Sequence, residues 1–325
     1  MKAVFHGVRG SIPTPLSPGQ VEYKTQSLAL DIFDRIKSKK IKTREDVKKY
    51  LRKAGIPRTA TFGGNTPCVE VIADGGQRLI LDAGSGIRQL GMSLMKDEKE
   101  KLGKGQGSCH ILFSHFHFDH IQGIPFFVPV FIPGNTVNYY GGVPEIVEII
   151  AGQFKGPYFP VEFDKLGAKQ TGTTLEQDKS YDINGFKVSL HALNHPNRSF
   201  AYRIEKDGKT LVYATDSEFM DRPTEEYASY KKFFANADCF IVDTQYAILD
   251  SMTTKFGWGH SSPNIDIDLA HASGVKSLYF FHYDPLISDE DIVKTFRETE
   301  RYRLAMHPDS PLTLKLSYEG LTVPL

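Results

Sequence analysis

Ser114-His-Phe-His-Phe-Asp-His-Ile-Gln-Gly123 is the stretch of this 325-residue chain that decides its fold. It follows a short apolar run that is typical of a buried strand. His115 and His117 are two positions apart, so in an extended loop their side chains point to one side. Asp119 and His120 open the next segment and can face the same pocket from another side. Imidazole nitrogens and a carboxylate in this spacing predict a site for two neighbouring divalent cations.

Further metal-binding residues are expected at the ends of later strands, because a dinuclear site needs more donors than one motif supplies. His195, Asp216 and His282 each follow a strand-like run, and Asp216 is well placed to bridge two ions. His191 is the alternative to His195, but it lies within its strand and precedes no turn. The predicted metal ligands are therefore His115, His117, Asp119, His120, His195, Asp216 and His282.

Several other short motifs accompany this set in a fixed order. They are Gly10-Ser-Ile-Pro13, Gly63-Gly-Asn-Thr66 and Leu81-Asp-Ala-Gly84, and then, after the histidine motif, NHP, ATDSE, GWGHSS and FFHYDP. With them the chain resembles the metallo-β-lactamase superfamily, specifically the phosphodiesterase branch that contains ribonuclease Z and the phosphoribosyl cyclic phosphodiesterases. The resemblance implies an α+β fold, a four-layer αββα sandwich with the metals at one edge.

The resemblance also implies how the ligands are shared between the two metals. The first metal would be held by His115, His117 and His195. The second would be held by Asp119, His120 and His282, with Asp216 and a hydroxide bridging the pair. Asp119 would both bind a metal and orient the attacking hydroxide.

His260, in Gly257-Trp-Gly-His-Ser-Ser262, is the candidate general acid. The glycines let this loop fold tightly over a pocket, and an imidazole can donate a proton near neutral pH. Ribonuclease Z has a similar histidine paired with a carboxylate at the end of an earlier strand, and Asp243 matches that place. The alternative is a loop histidine that caps Ser261 or the following helix.

The expected activity is hydrolysis of a phosphodiester, because paired cations activate water and neutralise phosphate oxygens. A small cyclic or linear phosphodiester, such as a cyclic nucleotide, is the favoured substrate. RNA 3′-end processing of the ribonuclease Z type is the alternative, and hydrolysis of a carboxylic ester, lactone or thioester is a third interpretation. A non-catalytic binding module that keeps the fold is the fourth, and the intact ligand set argues against it. Zinc is the preferred metal, with manganese or iron as alternatives, because the donors are nitrogen and oxygen without cysteine.

Charge is unevenly distributed along the chain. Lys+Arg and Asp+Glu both number 39, yet Arg35–Arg58 alone carries a net charge of +9. Such a stretch meets nucleic acid in some proteins, but a solvated helix is the simpler interpretation here, since Thr43 can cap its start and Gly55 its end. We expect one domain over residues 1–325, with a basic helical insertion at about 16–60. Nucleic acid is therefore a partner we consider but do not favour.

Composition bounds the remaining expectations. The chain is 40% hydrophobic and 24% charged, as in an ordinary globular protein. Its three cysteines show no pairing pattern and its start shows no signal peptide, so we expect a cytoplasmic protein with no membrane partner, and a homodimer as in relatives. Helical patterns fit Ile87–Lys101, Val143–Gln153, Pro223–Ala235, Pro263–Ala272 and Asp289–Leu304.

Four single residues carry weaker expectations. Asp82 follows a strand and is expected to orient a ligand histidine through a hydrogen bond. Arg9 and Arg198 are candidates for binding phosphate. Trp258 is expected in the core rather than against substrate.

Overall fold

Two seven-stranded sheets form the centre of the molecule in a computed structural model that describes all residues 1–325. The first sheet holds β1 (Lys2–Gly7), β2 (Cys68–Ile72), β3 (Arg78–Leu81), β4 (Ser108–Leu112), β5 (Thr136–Gly141), β6 (Lys169–Thr174) and β14 (Thr322–Pro324). The second holds β7 (Ser180–Ile183), β8 (Phe186–Leu193), β9 (Ser199–Lys206), β10 (Lys209–Ala214), β11 (Cys239–Asp243), β12 (Ser277–Phe281) and β13 (Thr313–Leu316). The strand orders are β14-β1-β2-β3-β4-β5-β6 and β13-β12-β11-β10-β9-β8-β7.

Ten helices connect and cover these strands. They are α1 (Pro18–Lys37), α2 (Arg44–Ala54), α3 (Ile56–Thr59), α4 (Ile87–Leu94), α5 (Phe118–Ile121), α6 (Ile146–Gly152), α7 (Thr224–Phe234), α8 (Ile248–Met252), α9 (Pro263–Ala272) and α10 (Asp289–Met306). Helices α4 and α6 pack on the first sheet, and α7, α9 and α10 pack on the second. The predicted four-layer αββα sandwich is therefore confirmed.

Alternation of side chains along each strand explains the layers. In β3, Leu79 and Leu81 are buried in the larger core that includes the second sheet, whereas Ile80 is buried against the helices on the other face. Successive side chains of a strand point to opposite faces, so a run of apolar residues is expected wherever both faces are covered. Between the sheets, the ring of Phe5 stacks on that of Tyr279 with centroids 6.0 Å apart.

The helix predicted over 87–101 ends early, at Leu94. In the turns that follow it, the Arg78 guanidinium binds Asp97 at 2.9 Å and Glu100 at 2.7 Å. These ion pairs stabilise the turns that take the place of the last part of the predicted helix. The other four predicted helices are confirmed to within three residues at either end.

Parallel strands set the place of the site. β3, β4, β5 and β6 run parallel in the first sheet, and β10, β11, β12 and β13 run parallel in the second. Loops that leave the carboxyl ends of parallel strands gather at one edge. Three polar residues that follow such strands, Asp82, Asp216 and His282, have positive φ of 56°, 56° and 59°. This conformation is unfavourable for residues with a Cβ and clusters at functional sites.

The basic segment Arg35–Arg58 forms the end of helix α1 together with α2 and α3, as the solvated-helix interpretation predicts. Thr43 caps α2 and exchanges hydrogen bonds with Asp46, and Gly55 follows its last residue. Helix α1 is 20 residues long and none of its residues is fully buried. The proposal of one domain with an insertion at about 16–60 stays a prediction.

Asp289, at the start of α10, links α1 to the loop after β1 through ion pairs. Its carboxylate accepts from the Lys24 ammonium at 2.7 Å and from the Arg9 guanidinium at 3.3 Å. Arg9 is only 2% exposed and also donates to the carbonyl of Gly63 at 3.1 Å. The expectation that Arg9 binds phosphate is therefore wrong, because all of its donors face protein groups.

We expect Asp289→Ala to lower the free energy of unfolding by about 3 kcal/mol, because it leaves the charged groups of Lys24 and Arg9 without their buried carboxylate partner. Urea denaturation followed by circular dichroism measures the change. The matched control is Glu290→Ala, which removes the next acid along α10, an exposed one. Equal stability of the two variants would show that Asp289 contributes no more than a surface charge.

Candidate metal centre

The loop after β4 and the short helix α5 carry the first four predicted ligands. His115 and His117 lie in the extended loop, and Asp119 and His120 lie in the first turn of α5. The imidazole of His120 is fully buried, and that of His115 almost so. The motif thus presents donors from a loop and from a helix start into one pocket, as its spacing predicts.

One group of donors lies on the Oδ2 side of Asp216. His115 Nε2 is 3.6 Å from this oxygen and His195 Nε2 is 3.9 Å from it. His117 Nδ1 lies 3.0 Å from His195 Nε2. These three histidines present donor atoms within 4.8 Å of one another, which is the spacing of ligands around one ion.

A second group lies on the Oδ1 side of the same carboxylate. His120 Nε2 is 3.4 Å and His282 Nε2 is 3.3 Å from Asp216 Oδ1. Asp119 Oδ2 lies 3.3 Å from His120 Nε2 and 3.1 Å from His282 Nε2. Asp216 therefore stands between two sets of donors, and the division of these residues between two ions stays a prediction.

The donor set fits divalent cations. His115 Nε2 is buried, and no group of the chain makes a hydrogen bond to it. Burial lowers the pKa of His115 well below its ordinary value, so its ring favours the neutral form, which has one nitrogen free to bind a metal. Burial alone would raise the pKa of Asp216, but the surrounding histidines, His282 foremost, hold it well below its usual range. Imidazole nitrogens around a buried carboxylate are donors that zinc, manganese and iron accept.

Asp82 supports the second group from behind. Its Oδ2 lies 2.8 Å from His120 Nδ1 and accepts from the Tyr213 hydroxyl at 2.7 Å, and its Oδ1 accepts from the Ser114 amide at 2.7 Å. The predicted hydrogen bond between Asp82 and a ligand histidine is confirmed. It leaves Nε2 of His120 as the donor toward the pocket, and such partners fix the orientation and tautomer of metal-binding histidines.

Two further supporting residues were not foreseen. Gln245 Oε1 lies 2.8 Å from His282 Nδ1, and the Ser11 amide donates to Asp119 Oδ2 at 2.8 Å. Gly10 lets this first loop approach, because a Cβ there would lie 2.5 Å from the His282 ring. A sequence signal existed for both residues, since Gln245 follows β11 and Ser11 belongs to the Gly10-Ser-Ile-Pro13 motif.

Glu218, two residues after Asp216, was also missed. It is 2% exposed, and its carboxylate accepts from the amides of Gly257 at 3.0 Å and Gly259 at 3.3 Å. The carbonyl of Gly259 lies 2.7 Å from His195 Nδ1. Glu218 therefore fixes the turn that orients His195 and that leads into His260.

His260 and Asp243 form the predicted pair. His260 Nδ1 is 2.7 Å from Asp243 Oδ2, and the His260 ring stacks on that of His282 with centroids 5.3 Å apart. Burial alone would lower the pKa of His260, but the Asp243 carboxylate outweighs it and raises that pKa to about 9. His260, Asp243, Asp216 and His282 also present atoms close enough to hold an ion, so a ligand role for His260 is the alternative to a proton donor.

Three other expectations concern residues around the centre. His191 stacks on Phe233 and hydrogen-bonds Ser229, so the structure leaves it out of the donor groups, as predicted. Arg198 is exposed in the turn after His195, and its proposed contact with phosphate stays a prediction. Trp258 is 53% exposed, so its assignment to the core is wrong.

Sequence and structure comparisons agree with this architecture. The model of the beta-lactamase superfamily domain matches residues 77–283, which span most of both sheets and every predicted ligand. The chain belongs to the beta-lactamase superfamily, and it is an enzyme of that family of hydrolases.

Curated relatives and a solved structure narrow the comparison. Ribonuclease Z of Thermoplasma acidophilum is 24% identical over 245 residues, which are 58% of this chain and 75% of that protein. Ribonuclease Z of Staphylococcus saprophyticus is 34% identical over 187 residues, which are 53% of this chain and 57% of that protein. The metallo-beta-lactamase fold protein YhfI of Bacillus subtilis superposes with a TM-score of 0.61 at 18% identity, over 99% of this chain and 98% of YhfI. No helix has the combined length and hydropathy of a bilayer-crossing segment.

Proposed function

We propose that the chain is a binuclear metal-dependent phosphodiesterase. The observation that carries the proposal is the position of Asp216 between two groups of donors, beside a histidine that is paired with a carboxylate. We assign His115, His117 and His195 to one ion and Asp119, His120 and His282 to the other, with Asp216 shared. Zinc is the preferred metal, with manganese or iron as alternatives.

When bound, two divalent cations lower the pKa of water and neutralise the oxygens of a phosphodiester. The residues of the chain do the rest. Asp119, held by the Ser11 amide, orients the attacking oxygen. Asp243 holds the Nδ1 proton of His260, so Nε2 is the atom that gives a proton to the departing oxygen. The leaving alkoxide is thereby neutralised as its bond to phosphorus breaks.

RNA 3′-end processing is the second candidate function, and the relatives named ribonuclease Z favour it. The charged residues of α2 and its flanks supply a basic surface that a phosphate backbone could contact. Protein–RNA affinity that depends on such contacts falls steeply with salt.

The three buried, unpaired cysteines support a reducing, cytoplasmic setting. A homodimer stays a prediction.

The test is metal analysis of the purified protein together with a substrate panel. We expect two divalent ions per chain and turnover of phosphodiesters, with carboxylic esters and lactones hydrolysed far more slowly. The panel contains a cyclic nucleotide, a precursor RNA and a lactone, and RNA cleavage is measured at several salt concentrations. Protein without divalent ions, or turnover of the lactone alone, would overturn the proposal.

A further inference from the structure

The only tryptophan of the chain stands in solvent beside the proposed proton donor. Trp258 is two residues before His260, and 53% of its surface is exposed. The Tyr246 ring lies between the two, with its centroid 6.5 Å from that of Trp258 and 5.4 Å from that of His260. The Lys255 ammonium lies over the indole, 3.8 Å from its centroid. An aromatic face with an adjacent cation thus borders the centre.

The turn that carries this indole is held on both sides. Gly257 and Gly259 flank Trp258 and have φ of 79° and 81°. Both of their amides donate to the buried carboxylate of Glu218. A Cβ at Gly259 would lie 2.4 Å from His195 Nδ1, so only glycine lets the turn pack this closely against a predicted ligand. The exposed indole is therefore held at a fixed position relative to His195 and His260.

Aromatic side chains that stand next to a cation are typical of surfaces on which nucleobases stack. The metal donors and His260 account for the scissile phosphate and the leaving oxygen, and nothing in that set contacts the rest of a substrate. Trp258 supplies an apolar ring face at the border of the same site. Lys255 supplies a positive charge, which matches a phosphate adjoining the stacked base.

We propose that Trp258 is a stacking surface for the nucleobase of the substrate. The inference rests on the proposed phosphodiesterase function and names a residue that recognises part of its substrate. Cyclic nucleotides and single-stranded RNA share this chemistry, so the test includes both.

The first readout is tryptophan fluorescence, which reports on Trp258 alone because the chain has no other tryptophan. We expect adenosine 2′,3′-cyclic phosphate and a short oligoadenylate to quench the emission saturably, whereas ribose 5-phosphate leaves it unchanged. The ligand that saturates at the lower concentration identifies the source of the base. Absence of quenching by either base-bearing ligand would overturn the stacking proposal, whatever the enzyme hydrolyses.

The second readout is kcat/KM on a ribodinucleotide and on its abasic counterpart. We expect Trp258→Ala to lower kcat/KM on the ribodinucleotide about ten- to a hundredfold, chiefly through KM, and to leave the abasic substrate nearly unchanged. Trp258→Phe restores most of the loss, because it keeps an aromatic face. The control is Phe33→Ala, which removes an equally exposed ring from α1.

Two results distinguish a failure of the stacking proposal from a failure of the proposed function. An equal loss on both substrates would show that Trp258 only supports the loop, and the stacking proposal would be wrong while phosphodiesterase activity stood. Quenching by the base-bearing ligands, without hydrolysis of any phosphodiester, would support the stacking surface and overturn the proposed function.

Discussion

Asp216→Ala is expected to abolish binding of both metals and to lower phosphodiesterase activity by at least about a thousandfold. The two oxygens of its carboxylate face different sets of donors, with Oδ2 near His115 and Oδ1 near His120 and His282. In the proposed site each ion would lose an anionic ligand, and the positive charges of the two ions would face each other unscreened. Cations contribute several kcal/mol to such reactions, and each 1.4 kcal/mol corresponds to tenfold in rate.

Metal content of the purified variant and initial rates on a phosphodiester measure the effect. Circular dichroism and thermal unfolding without added metal show whether the fold is kept. The matched control is Asp238→Asn. Asp238 directly precedes β11, at the end of the strand away from the candidate site, and its carboxylate pairs with Lys276 at 2.7 Å. A variant that retains two ions and full activity would show that Asp216 is not a metal ligand.

The sequence was sufficient to name the side chains that the structure brings together at the candidate site, because their signal is local. Histidines two positions apart after an apolar run, and single polar residues at strand ends, are visible in short windows. The same holds for helix α2, where Thr43, Asp46 and Gly55 act within one or two turns. Layer order followed from the family resemblance, and the two observed sheets agree with it.

What the sequence did not predict depends on contacts between distant segments. Glu218 meets Gly257 and Gly259 across some 40 positions, and Gln245 meets His282 across 37. Arg9 was expected to bind phosphate, yet it pairs with Asp289, 280 positions later in the chain. Neither periodicity nor a local motif predicts such long-range contacts, because they depend on which loops lie at the same edge of the sheets.

The same limit explains the error on Trp258. A tryptophan is mostly buried in proteins, so composition alone favours the core. The turn that exposes it is fixed by a carboxylate from another loop and by two glycines with positive φ. The residue type therefore predicts burial of Trp258, whereas the tertiary contacts of its neighbours keep it exposed.

His260→Ala is expected to keep both metals and to slow phosphodiester cleavage by about a hundredfold. His260 lies 2.7 Å from Asp243, which fixes its ring, and the variant removes the proton donor while the seven metal donors remain. The loss depends on the leaving group, because a stable anion departs without protonation. A p-nitrophenyl phosphodiester should therefore suffer much less than a substrate with an alkoxide leaving group.

Rates on these two substrates and the metal content of the variant decide between a proton donor and a ligand. His271→Ala is the control, since it removes an exposed histidine that hydrogen-bonds Ser310. Asp243→Asn should reproduce the dependence on leaving group in weaker form, because His260 keeps its place but loses the charge that favours its protonated state. If His260→Ala instead loses an ion and slows both substrates equally, His260 belongs with Asp216 and His282 among the ligands, and the departing oxygen must take its proton from water.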